Sequence, residues 1–170
     1  MSLFWNKEFN NLEDLFWAQM EDLYDAEIRL TDAIPKMAEA AESPTLKSAF
    51  QSHVRETENH VKRLEQIFAQ HNKKPTRESC AAMKGLVSEG NEMISANGDA
   101  SVRDAALIAA AQRVEHYEMA GYGTLRTLAR MLGFNPAAQL LQSTLDEEKA
   151  ADAKLTEVAE YAVNVQAANA

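Results

Sequence analysis

Apolar residues recur every three or four positions along most of this chain. No stretch alternates with the period of two that a half-buried strand requires. From Asn11 a seam runs through Met20, Leu23, Glu27, Leu30, Ile34 and Met37, apolar except for one acid. Pro35 lies inside this first helix, where it removes a backbone donor and is expected to kink it near its end. Ser43 and Pro44 supply an N-cap and a first-turn proline for a second helix. The inward face of that helix carries Ala49, His53, Glu56, His60, Leu64 and Ile67, and Lys73-Lys74-Pro75 breaks it. A shorter amphipathic segment with Met83, Leu86, Val87 and Ile94 follows and stops at Asn97-Gly98-Asp99. A third long helix spaces Ala111, Val114, Gly121, Leu125, Leu128 and Leu132 along one face and ends in Gly133-Phe134-Asn135-Pro136. The fourth presents Leu141, Leu145, Glu148, Asp152, Leu155 and Ala159.

This pattern predicts an all-α chain with long helices over about residues 11–42, 44–71, 100–132 and 136–164, and a short helix over about 78–96. Two short turns make two antiparallel hairpins, and residues 72–99 are enough to cross from one end of a bundle to the other. The expected architecture is a four-helix bundle with one long crossover that carries the additional helix.

At 170 residues and 46% hydrophobic content the chain suits one domain with a sizeable core. Its apolar runs fall well short of a membrane span, and residues 1–10 lack the features of a secretory signal. One cysteine, Cys80, makes no internal disulfide, so a cytoplasmic setting is expected, with Cys80 acting as a small buried hydrophobe. The net charge of -9 argues against nucleic acid and suits cations. Leu3, Phe4, Trp5 and Phe9 precede the first seam without belonging to it. An apolar arm of that kind is expected to be covered, most simply in a homodimer.

Acids interrupt the inward faces at repeating positions. Glu56 lies twelve residues after Pro44 and Glu148 twelve after Pro136, while His60 and Asp152 each lie sixteen after the same prolines. Glu27 precedes Pro44 by seventeen and Glu118 precedes Pro136 by eighteen, with Glu115 one turn before Glu118. At about 1.5 Å per residue these positions share one layer, roughly 18–27 Å from the turns. A pair of nearby cations needs about four to six carboxylate oxygens and one or two nitrogens, which facing helices supply at fixed depth. The expected ligands are Glu27, Glu56, Glu115, Glu118, Glu148 and Asp152, with His53 or His60 as nitrogen donor.

L-Y-D-A-E around Glu27, H-V-R-E-T from His53, D-A-A-L-I-A-A-A-Q-R-V-E-H-Y-E from Asp104 and D-E-E-K-A-A-D from Asp146 cover nearly the whole chain. In these segments it resembles the YciF-like family of stress-induced bacterial proteins, within the ferritin-like superfamily. The resemblance implies a ferritin-like bundle, a di-metal centre of iron or manganese, a homodimer and a cytoplasmic stress setting. It implies no settled reaction. Ferritin-like di-iron proteins carry Glu-x-x-His on two helices, whereas here Glu56 and His60 are four apart and Asp152 replaces the last histidine. The glutamates Glu115 and Glu118 are similar to the doubled pair of rubrerythrins, but a single cysteine excludes their Cys-rich electron-transfer domain.

Arg29, Arg55, Arg113 and Arg126 are the available neutralising partners should the acids hold no metal. His116 is expected at the surface, and Tyr24, Tyr117 and Tyr122 lie near enough to hydrogen-bond a ligand carboxylate. Three functional classes follow: a metal-binding stress protein, a di-iron oxidoreductase acting on peroxide or Fe(II), and a structural or interaction bundle without turnover.

Overall fold

The computed structural model describes residues 8–170. It contains α1 (Leu12–Ala40), α2 (Pro44–Gln70), α3 (Ala81–Ile94), α4 (Ala100–Met131) and α5 (Asn135–Val158). The chain leaves α5 through a π-helical turn, Ala159–Val163, into a last short helix, α6 (Asn164–Ala167). No strand occurs among the described residues. The arm residues Leu3, Phe4 and Trp5 lie outside them, and Phe9 is 46% exposed. None of these helices is long and apolar enough to cross a membrane.

Local chemistry sets the helix ends. Asn11 caps α1 by accepting from the Asp14 N–H, and Ser43 caps α2, with Pro44 in its first turn. Asp99 accepts from the Ser101 and Val102 N–H groups to start α4. Two helices stop in the same way. Asn72, at φ +54°, and Gly133, at φ +75°, take the left-handed conformation just past the ends of α2 and α4. The next residue then donates back to the helix, Lys73 to the Phe68 carbonyl at 2.9 Å and Phe134 to the Ala129 carbonyl at 2.8 Å. Asn72 therefore ends α2 before the basic pair and Pro75 are reached. Pro35 lies within α1, which continues to Ala40.

Helices α1 and α2 form one hairpin, α4 and α5 the other, and contacts of α1 with α4 and of α2 with α5 close the bundle. The first turn is fastened by a buried acid: Asp104 of α4 accepts from the Glu42 N–H at 3.0 Å and the Ser43 N–H at 2.7 Å. The crossover follows α1 back along the bundle and is held by buried Asp25. That carboxylate accepts from the Cys80 N–H at 2.9 Å, from Arg29 at 2.6 Å and from Arg77 at 2.9 Å. Helix α3 then packs on α1 and α4. Phe16, Trp17, Phe68 and Phe134 fill one end of the core.

Candidate metal centre

Six polar side chains meet where this core would otherwise be oil: Glu27 of α1, His53 and His60 of α2, Glu115 and Glu118 of α4, and Glu148 of α5. All six are buried. His60 Nδ1 lies 3.0 Å from Glu148 Oε1 and 3.4 Å from Glu27 Oε1. His53 Nε2 lies 3.2 Å from Glu115 Oε1 and 3.8 Å from Glu148 Oε2. The donors form two overlapping groups, His53, Glu115, Glu118 and Glu148, and Glu27, His60 and Glu148. Within each group the ligand atoms lie within 4.8 Å of one another. Glu148 belongs to both. Close approach of α1 and α4 beside the site depends on Gly121, where a Cβ would stand 2.9 Å from Leu23 Cδ2.

Carboxylates on the outer side aim both imidazoles. Glu147 lies 2.8 Å from His60 Nε2 and is itself held by both terminal nitrogens of Arg63, at 2.5 and 2.7 Å. Glu56 lies 3.2 Å from His53 Nδ1. With a cation bound, a proton on each outer nitrogen would leave the inner one, His60 Nδ1 or His53 Nε2, as the lone pair that coordinates, the arrangement found around metal-bound histidines. Tyr122, fully buried, donates its hydroxyl to Glu27.

The electrostatics are those of a crowded acid cluster whose nearest counter-charges are its own two histidines. Burial, then the charges of Glu148, Glu27 and Glu115, push Glu118 well above the ordinary carboxylate range. Burial likewise pushes Glu148 up to about 7, although His60 and His53 oppose it, and raises Glu27. Burial alone would lower His60, but the adjacent Glu148 and Glu27 carboxylates overcome it and push it up to about 10. His53 also rises, with Glu115 as the leading partner against burial. The outer acids behave oppositely: His53 holds Glu56 low, and Arg63 holds Glu147 low.

Eleven buried side-chain nitrogen or oxygen atoms among the described residues lack a hydrogen bond. Three belong to Thr57, Arg103 and Arg126. The other eight are Glu27 Oε2, His53 Nε2, His60 Nδ1, Glu115 Oε2, both oxygens of Glu118 and both of Glu148. An unpaired buried polar atom costs about 1–3 kcal/mol, and although the two histidine nitrogens face carboxylates at 3.0–3.4 Å, Glu27 Oε2, Glu115 Oε2 and both Glu118 oxygens are left for a cation to satisfy. Four carboxylates with two neutral imidazoles carry a formal charge that two divalent cations cancel, and a mixed oxygen and nitrogen set suits iron or manganese. The residues fit the group that the sequence pattern implies.

Two expected ligands lie elsewhere. Glu56 matches Glu148 in its distance from the preceding proline, yet its side chain is 39% exposed and meets the site only through His53. The two hairpins differ in helix rotation: α2 turns His53, Thr57 and His60 inward, which carries Glu56 to the edge, whereas α5 turns Thr144, Leu145 and Glu148 inward. The same difference removes Asp152, which accepts from Gln112 at 3.0 Å and faces exposed His116 at 3.5 Å. Both histidines, by contrast, point inner nitrogens at the acids.

The arginines do not neutralise the cluster. Arg29 pairs with Asp25, Arg126 donates to Gln142, and Arg55 and Arg113 are exposed. Glu147 and Arg63 escaped the sequence reading, because Glu147 precedes an inward acid by one residue and its partner lies 84 positions away. Tyr24 bonds Glu65, not a donor of the cluster. Tyr117 donates to Asp22 and lies 3.0 Å from the Cys80 sulfur, so that buried thiol has a polar neighbour as well as an apolar one.

Residues 11–168 match the family described as a domain of unknown function, DUF892. Protein YciF of Escherichia coli is 49% identical over 159 residues, 93% of this chain and 96% of its own. The crystal structure of that stress protein superposes with a TM-score of 0.88 at 48% identity, covering 92% of this chain and 99% of the other. YcfI from Rhodopseudomonas palustris, described as a candidate structural protein, gives 0.86 at 40% identity, over 90% of this chain and 98% of its own. A protein from Xanthomonas campestris pv. campestris, at 20% identity and a TM-score of 0.74 over 91% and 95% of the two chains, shares the fold. This chain belongs to the YciF-like family of helical proteins.

Proposed function

We propose that this protein is a cytoplasmic, homodimeric stress protein that binds two iron or manganese ions per chain. Glu27 and His60 would hold one ion, His53, Glu115 and Glu118 the other, with Glu148 common to both. The observation that carries this reading is the set of eight unpaired buried donor atoms around one point. Two further features support it: each histidine is aimed by an outer carboxylate, and no arginine enters the cluster. Bound iron or manganese would supply one-electron redox chemistry. The chain itself contributes a buried donor set on four helices and Tyr122 as a hydrogen-bond donor to Glu27.

Metal analysis of freshly purified protein, followed by its optical spectrum as peroxide is added, tests the reading. About two ions per chain are expected. A spectrum that changes and returns on reduction assigns the protein to the oxidoreductases, and one that stays constant assigns it to metal binding without turnover. Protein that holds no metal and takes none up in solution removes the proposal.

A further inference from the structure

A cavity of about 620 Å³ opens between α2 and α5 and ends on the donor cluster. Its walls are low because the facing residues are small, Ala49 and Ser52 from α2 and Ala150 and Ala151 from α5. Its floor includes His53 and Glu115, each more than nine-tenths buried and each presenting an unpaired atom, Nε2 and Oε2. Cavities between α1 and α2, and between α1, α3 and α4, reach none of the six donors.

The charge along this groove selects what can enter. Lys154 is its lysine, and it is tied to Glu157 at 2.9 Å. Glu147, 36% exposed at the rim, is matched by Arg63. That leaves Glu56 and then Glu115 as successive carboxylates between solvent and centre, the first partly exposed and the second buried. An anion would meet like charge at every step, whereas a cation passes from a half-exposed carboxylate to a buried one without losing counter-charge.

We infer that the groove between α2 and α5 is the route by which divalent cations reach the centre, with Glu56 as the first carboxylate they meet. This rests on the di-metal reading. It goes further in assigning Glu56 a second task besides aiming His53, and in giving the small residues of the groove a reason.

Rapid mixing of metal-free full-length protein with Co²⁺, followed by the visible absorption of the bound ion, tests the route. Ala151→Trp and Ala49→Trp place bulk on opposite walls while leaving every donor residue in the chain. Each is expected to slow uptake about tenfold or more and to leave the final amount bound unchanged, since a blocked path must wait for a rarer opening. Lys154→Glu, on the helix surface, is expected to speed uptake several-fold at low salt, with the gain fading as salt screens the charge. A tryptophan variant that folds, by its circular dichroism melt, and still loads at the wild-type rate overturns the route. If neither tryptophan variant folds, an unchanged rate in Lys154→Glu overturns it. Failure of the wild-type protein to take up Co²⁺ at all would instead remove the centre, and the route with it.

Discussion

Replacing Glu148 by glutamine should move the stability of this protein in opposite directions with and without metal. The substitution keeps the volume and removes one charge from a fully buried position. Burial raises Glu148 to about 7 from the ordinary 4.5, so in the metal-free protein its ionised form is strained. The raised value belongs to an acid, so the penalty is absent below the unfolded value and fully present above the folded one. At about 1.36 kcal/mol per unit, this penalty is about 3 kcal/mol at pH 8. Loss of the His60 contact at 3.0 Å takes back part of the gain. The net expectation is that metal-free Glu148→Gln is more stable than wild type by about 1–3 kcal/mol at pH 8, or about 3–10 °C in Tm. With Mn²⁺ or Fe²⁺ the order reverses, because Glu148 serves both donor groups and its loss should weaken binding by tenfold or more. Thermal melts of both proteins at pH 8, with chelator and with metal, read the four quantities. A variant that is destabilised without metal, and stabilised by added metal as much as wild type, would refute the reasoning.

Glu56→Gln and Glu147→Gln should each lower metal affinity about 10- to 100-fold while leaving two ions bound at saturation, as titration calorimetry would show, since these residues aim His53 and His60. Asp25→Asn should cost about 1–3 kcal/mol in urea melts at pH 7, because it loosens the crossover and leaves partly exposed Arg29 and Arg77 without their acid. Burial opposes the Asp25 charge, but the Cys80 N–H, Arg29 and Arg77 hold its pKa below 3.8. Its contribution is therefore present above that value and disappears as pH falls through the folded one, where variant and wild type should converge. Deleting residues 1–9 should weaken homodimer association in sedimentation and leave metal binding intact; an unchanged dimer would show that the arm is not the contact.

The helices were legible because period and punctuation agree. Apolar spacing named the faces, and Ser43-Pro44 marked a start that the structure keeps; Asp99, read as a stop, also caps the helix that follows. The end of α2 was read from Pro75, yet Asn72 in the left-handed conformation stops it first, a use of asparagine that spacing alone does not announce. Counting from the two prolines found the layer of the site because depth along a helix is linear in residue number. It misplaced Glu56 and Asp152 because rotation about the helix axis is set by packing: buried Thr57 takes the inward direction beside Glu56, and Glu148 and Leu155 take it on either side of Asp152. Glu147, Asp25 and Asp104 make their contacts across long sequence separations, with Arg63, with the crossover and with the first turn, and no local pattern encodes those pairings.

Anomalous diffraction from crystals grown with Mn²⁺, recorded on both sides of the manganese edge, tests the central claim most directly. Two anomalous peaks are predicted in each chain, one among Glu27, His60 and Glu148 and one among His53, Glu115, Glu118 and Glu148. A saturated crystal with no peak inside the bundle, or with manganese only on surface carboxylates, would contradict the account.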